Sequence, residues 1–398
     1  MTTSSRRLPA EIWALGFVSL LMDISSEMIH AVLPVFLVTV LGASTITVGL
    51  IEGIGEATAS VAKLFSGWLS DRLGKRKLLT VIGYGIAVIS KPLFALAPNP
   101  SWVLIARFSD RVGKGIRGAP RDALVADLAP VGMAGAAYGL RQSLDTVGAI
   151  TGPVLALALL GALGGNFRLV FWIAVVPGLL AVATLLVAVR EPDRERVGVP
   201  ERPVFEIEAV SRLGALFWGV VTIGTLLTLA RFSEAFLILR AQNVGLSITL
   251  VPVVLVIMNV AYAGSAYPLG SLSDRIDRRA ILVVGSTVLI AADLVLAAAV
   301  SPWTVALGAA LWGLHMGMTQ GLLAALVAEA VPTPARGSAF GIFHATTGIA
   351  TLCASAIAGV LWEAFGPSAT FLTGAAFTAI GLLWMAVVIL IHGARPGA

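Results

Sequence analysis

Polar residues are sparse and clustered along this chain, and the stretches between the clusters are apolar and long. A helix crosses the hydrocarbon core of a bilayer in about 20 residues. Twelve runs of that kind are predicted, at 12–38, 45–69, 78–97, 101–120, 136–160, 167–189, 213–238, 247–270, 280–299, 302–327, 337–361 and 368–391. None is interrupted by the two-residue alternation of a strand, and lipid does not tolerate open sheet edges. The first run carries Asp23, Glu27 and His30. It is too long and too polar for a cleaved leader and reads as the first retained span. The expected fold class is an all-α polytopic membrane protein.

Composition narrows the function classes. Hydrophobic types make up 58 % of the 398 residues and charged types 12 %, against about 25 % charged in soluble proteins. That density cannot cover a water-facing surface of this size, which excludes an ordinary soluble enzyme, a disordered chain and a nucleic-acid binder. The net charge of +5 follows from basic residues in short loops, where an anionic leaflet attracts them. Arg72, Lys75, Arg76 and Lys77 lie between spans 2 and 3; Arg190, Arg194, Arg196, Arg202 and Arg212 between spans 6 and 7; Arg275, Arg278 and Arg279 between spans 8 and 9. The loops on the other side hold only Arg240. Both termini are therefore expected in the cytoplasm. The single cysteine, Cys353, rules out an intrachain disulfide and a cysteine-based metal site; no metal or other cofactor is expected.

The chain repeats itself. Gly67-Trp-Leu-Ser-Asp-Arg-Leu-Gly-Lys-Arg returns as Gly270-Ser-Leu-Ser-Asp-Arg-Ile-Asp-Arg-Arg. Leu124-Val-Ala-Asp-Leu-Ala-Pro returns as Leu326-Val-Ala-Glu-Ala-Val-Pro at nearly the same offset. Charged residues at both places make chance agreement in apolar sequence an inadequate account. Two six-span bundles follow, 1–189 and 213–398, as parallel copies of the kind that rock around a central site. The polar, proline-bearing stretch 190–212 is the cytoplasmic tether between them.

These motifs resemble those of the major facilitator superfamily, over nearly the whole chain. Gly67, Asp71, Arg72, Gly74, Arg76 and Lys77 match its loop motif, and Gly270, Asp274, Arg275, Arg278 and Arg279 form a second copy with Asp277 in place of the second glycine. Gly139, Gly148, Gly152 and Pro153 on span 5 are similar to the motif associated with antiporters, although Ala156-Leu157 replaces its trailing glycine pair. Arg107 falls where the family usually has a buried arginine. The resemblance implies the two-bundle major facilitator fold and is strongest to bacterial drug and small-solute exporters. It further implies an inner-membrane, multi-pass location and alternating access by a monomer.

Charges inside spans cost roughly 3 kcal/mol or more at mid-membrane, so those present carry the functional signal. Asp23, Glu27 and His30 share one face of span 1 by their spacing of four and three. Glu52 and Glu56 share a face of span 2, and Arg107, Arg111 and Lys114 a face of span 4 with Asp110 beside them. Arg141 and Asp145 are four apart on span 5. The second half is poorer, with Arg231, Glu234, Asp293, His315 and His344.

The expected proton carriers are Asp23 and Glu27, with Arg107 and Arg111 as partners. A static salt-bridge network among the same spans is the competing reading. His30, Glu52, Glu56, Lys91, Asp145, Arg231, Glu234, His315 and His344 are expected in the substrate cavity. Gly67, Asp71, Arg72, Gly74, Arg76, Lys114, Arg117, Asp274 and Arg275 are expected to gate the cytoplasmic side. The run Asp110 to Asp122 is glycine-rich but lacks a preceding strand and the Gly-Lys-Ser/Thr ending of a nucleotide loop.

A secondary transporter is thus expected. A membrane enzyme would need a metal cluster or a nucleophile–base pair, and neither spacing occurs. A receptor would not need so many intramembrane charges. With no ATP motif, energy comes from an ion gradient, protons first, although carboxylates also serve sodium. Export of a hydrophobic or cationic small molecule in exchange for protons is the leading expectation. An organic anion or phosphorylated metabolite, held by the span-4 and span-7 arginines, is the alternative.

Overall fold

The computed structural model describes residues 8–73, 75–130, 134–190, 214–273, 278–330 and 336–393. Among them the chain forms fourteen α-helices. The first seven are α1 Ala10–His30, α2 Leu33–Thr39, α3 Thr45–Leu73, α4 Arg76–Leu96, α5 Pro100–Leu128, α6 Ala134–Ala162 and α7 Phe167–Ala188. The second seven are α8 Ala215–Ala230, α9 Ala235–Asn243, α10 Val253–Ser273, α11 Arg278–Ala297, α12 Pro302–Glu329, α13 Arg336–Phe365 and α14 Pro367–Gly393. Each predicted span is met by one helix or by a broken pair.

Local chemistry sets the helix ends. Asn99 and Asn166 accept from the amides of Trp102 and Leu169 at the starts of α5 and α7. Ser301 and Thr304 form a capping box ahead of α12, with Pro302 in the first turn. Gly366, at φ 86°, is the single residue joining α13 to α14, a backbone conformation that a β-carbon would strain. The polar second half of span 4 stays helical well past the predicted edge, to Leu128. Its charges find partners inside the protein rather than ending the helix.

Two spans read as continuous are broken. Span 1 divides at Ala31–Val32 because Pro34 has no N–H to offer the His30 carbonyl. Span 7 divides more fully. At Arg231 (φ −103°, ψ 76°) the amide turns back to the Thr228 carbonyl, and Ser233 Oγ accepts from Ala235 N to start α9. No proline marks this second break.

The chain forms two compact units by its internal contacts, residues 1–32 with 58–201, and residues 33–57 with 202–398. In the first, Ile12, Leu15, Val18 and Met22 of α1 pack with Tyr84, Ala87 and Val88 of α4 and with Ala181 and Leu185 of α7. In the second, Phe217, Val220 and Val221 of α8 pack on Val327 and Phe343, while Ile223 and Leu227 meet Ile281, Leu282, Met318 and Met385. The segment 33–57 joins the second unit through glycine contacts on α13. A β-carbon on Gly49 would lie 2.1 Å from the Ser355 carbonyl oxygen, and one on Gly53 3.0 Å from Leu352.

Each unit ties off its third span with an arginine. Arg168 donates to the carbonyls of Ala95 and Ala97 at 2.7 and 2.8 Å, at the end of α4. Arg240 donates to those of Leu296, Ala297 and Ala299 at 2.8–3.1 Å, at the end of α11. Cations placed on terminal carbonyls complement the helix dipole.

Candidate functional site

The charged face predicted on α1 is real and is seated by two glycines. On α6, a β-carbon at Gly148 would lie 2.8 Å from Asp23 Cβ, and one at Gly152 2.6 Å from Glu27 Cβ. Only glycine lets the α1 and α6 backbones come this close. Gly148 and Gly152 thus fix the positions from which both carboxylates project, with Pro153 buried next to them.

Asp23 is half-buried and has no hydrogen bond or ion pair among the described residues. Asp145 and Glu27 are close enough to repel it, and Lys114 and Arg117 to attract it. One turn on, Glu27 Oε1 lies 3.5 Å from His30 Nδ1 and within electrostatic reach of Lys114, Arg111 and Arg107. Arg111 Nη2 approaches His30 Nδ1 at 3.3 Å. The other ring nitrogen of His30 faces Asp110 Oδ2 at 3.8 Å.

Lys91 and Asp110 form the buried centre of the group. Lys91 has no exposed surface, and Asp110 is almost as deeply enclosed. Lys91 Nζ donates to Asp110 Oδ1 at 2.7 Å and to Ser26 Oγ at 2.9 Å. The pair joins α4 to α5, and Ser26, next to Glu27 in the chain, brings in α1. Ser26 carried no signal in the sequence, because nothing local marks a serine as a lysine's second partner.

Several other charges of this unit pair with one another. Arg141 Nη1 donates to Asp145 Oδ2 at 2.6 Å, and its Nε lies 3.8 Å from Asp122 Oδ1. Arg121 bonds Asp122 and reaches Ser19 Oγ at 3.2 Å. Arg117 is buried with its guanidinium 4.7 Å from the centre of the Tyr84 ring, a cation–π contact. Arg76 bonds Asp127 and the Ala123 carbonyl. Arg107 is buried and Lys114 exposed on α5. With Asp110 engaged by Lys91 and Asp145 by Arg141, the α1 carboxylates face Arg107, Arg111, Lys114 and Arg117.

In the second unit Glu52 is buried and Glu56 half-buried on α3. Arg231 stands at the span-7 break, within electrostatic reach of Glu234, Tyr262 and His315. His315 is buried with Nδ1 2.8 Å from the Gly285 carbonyl oxygen, and His344 is exposed on α13. Tyr262 was not anticipated; a tyrosine in an apolar span gives no periodic or charge signal.

Part of the expected gate cannot be placed. Gly74, Asp274 and Arg275 lie outside the described residues, as do the side chains of Asp71, Arg72 and their neighbours at Gly67, and the surroundings of Gly139.

A family model described as Major Facilitator Superfamily matches residues 15–239 and again 231–397, once for each half. An uncharacterized MFS-type transporter of Methanocaldococcus jannaschii is 34 % identical over 395 residues, covering 96 % of this chain and 95 % of that one. The quinolone resistance protein NorA of Staphylococcus aureus is 26 % identical over 189 residues, 46 % of each chain. Among solved structures, a bacterial homolog of the human lysosomal transporter Spinster, inward-facing and unoccupied, superposes with a TM-score of 0.76 at 17 % identity. That match covers 97 % of this chain and 98 % of the other.

Proposed function

The chain belongs to the major facilitator superfamily and is a multi-pass secondary transporter, and from that premise we propose that it exports a small hydrophobic or cationic organic molecule in exchange for protons. Two six-span halves, 1–189 and 213–398, would alternate access about the 190–212 tether, with both termini in the cytoplasm as the loop charges require.

The carrying observation is the pair Asp23 and Glu27. They stand one turn apart on a half-buried face, seated on Gly148 and Gly152 and opposed by α5 cations. A carboxylate in such a place gains proton affinity when it is desolvated and loses it when a cation closes in. Movement of α5 relative to α1 therefore shifts the proton between bound and released. A cationic substrate competes with the proton for the same carboxylates, which is the linkage exchange requires. The partial match to a quinolone resistance protein supports the export direction. Arg107 and Arg111 act as counter-charges. His30, Asp145, Glu52, Glu56, Arg231, Glu234, His315 and His344 supply polar contacts, and Lys91 holds the spans that carry the carboxylates.

The test is pH-gradient-driven transport in proteoliposomes by Asp23→Asn and Glu27→Gln, made separately. At least one variant loses accumulation while remaining folded. Full pH-driven accumulation in both would overturn the assignment and move the proton site elsewhere.

One observation favours a second reading. With Asp110 and Asp145 engaged, cations outnumber carboxylates around α1 and α5, an environment suited to an organic anion or phosphorylated metabolite. Competition by a cationic dye or by an organic phosphate, against one transported substrate, separates the two.

A further inference from the structure

Asp293 lies outside the group described above, in the second unit on α11. Both of its carboxylate oxygens are sealed from solvent and neither has a hydrogen-bond partner among the described residues. A buried carboxylate in an apolar span is costly when ionised and uncompensated. Its surroundings offer an acceptor. A β-carbon built on Gly374 of α14 would lie 2.8 Å from Asp293 Oδ2 and 3.0 Å from the Ala230 carbonyl oxygen. Both oxygens therefore crowd one point, which is open only because residue 374 is glycine. The edge of Phe232 lies 3.2 Å from the same point.

Ala230 is the last residue of α8, where span 7 breaks. The Arg231 amide turns back to Thr228, and the next turn bonds start from the carbonyls of Ser233 and Glu234. No loop amide among the described residues returns to the Ala230 carbonyl. We propose that Asp293 is a second proton-binding site, holding a proton that it presents to the carbonyl exposed by the break in span 7.

The charged groups around it are otherwise engaged. Arg240, packed near the end of α11, is held by the carbonyls of Leu296, Ala297 and Ala299. Arg231 lies by Glu234 and Tyr262. On α12, His315 is bonded to the Gly285 carbonyl and Glu329 is the terminal residue. On α11 itself, Arg278 and Arg279 open the helix, four turns away. The only titratable residue of α14 is His392 near its end, and α8 has none. One carboxylate and one carbonyl give too few oxygens to replace the hydration shell of sodium, so the ligand is the proton. Any motion of the 231–234 break moves the Ala230 carbonyl, tying the proton at Asp293 to the shape of span 7. This site is independent of the coupling role of Asp23 and Glu27.

Infrared spectroscopy of the purified full chain in lipid tests it without a transport assay. At neutral pH the carbonyl stretch of a protonated carboxylic acid, shifted in D2O, should be present in the wild type and missing in Asp293→Asn. The same component should persist in Asp23→Asn and Glu27→Gln. Gly374→Ala, which pushes a methyl group into the carboxyl, should shift its frequency, and this arm stands if Asp293→Asn fails to fold. A wild-type minus Asp293→Asn difference showing loss of ionised-carboxylate bands would overturn the proposal. So would an unshifted band in Gly374→Ala, or removal of the band by sodium chloride at fixed pH. Failure of pH-driven transport in the Asp23 and Glu27 variants leaves this spectrum unchanged.

Discussion

Lys91 and Asp110 show how one residue's environment sets its work. An ammonium group with no exposed surface is tolerable only beside a carboxylate, and Asp110 Oδ1 at 2.7 Å supplies it. Lys91→Met should leave Asp110 buried and uncompensated and cost about 3–5 kcal/mol of stability. The double variant Lys91→Met/Asp110→Leu should recover most of that. Thermal unfolding in detergent reads both; a double variant no more stable than the single would dissolve the pairing argument. In the sequence Lys91 appeared only as a charge within a span, a candidate for the cavity, and its enclosure depends on α1 and α5 arriving from elsewhere in the chain.

At the scale of helices, small residues decide which faces meet. The α1–α6 crossing is set by Gly148 and Gly152, and the carboxylates it positions lie on the α1 residues those glycines touch. Gly152→Val would drive a side chain into Glu27 Cβ and the Ile24 carbonyl. It should destabilise the protein by about 1–3 kcal/mol and abolish pH-driven transport. Gly161→Val on the same helix, where a β-carbon meets nothing within 4 Å, should leave both unchanged. Equal behaviour of the two variants would mean that close approach at Gly152 is not what matters. The breaks in spans 1 and 7 belong to this scale too. Pro34 accounts for the first, although span 1 reads as continuous, whereas the second rests on a backbone turn and a serine cap that hydropathy does not register.

At the scale of the whole molecule, the repeat is visible in both sequence and structure. The first span of each half is broken, at 31–32 and at 231–234, and an arginine caps the third span of each half. The loop motif around Asp71 is repeated at Asp274, as a gate acting once per half would require. Asp71→Asn should slow transport at least tenfold with normal amounts of folded protein in the membrane. Near-normal transport would remove that residue from the gate.

The sequence by itself determined the helical membrane fold, the twelve spans, the tandem halves and the face of α1 that carries Asp23, Glu27 and His30. These follow from hydropathy, loop charge and helical spacing, which act within one turn or one span and so can be read along the chain. Only the tertiary structure decided which charges are engaged across helices: Lys91 with Asp110 and Ser26, and Asp293 with no partner among the described residues. Pairing depends on residues far apart in sequence being brought within about 3 Å, on faces chosen by glycines whose packing partners no local pattern specifies. The same limit hid the break in span 7, since an apolar run looks continuous until its backbone hydrogen bonds are followed to their acceptors.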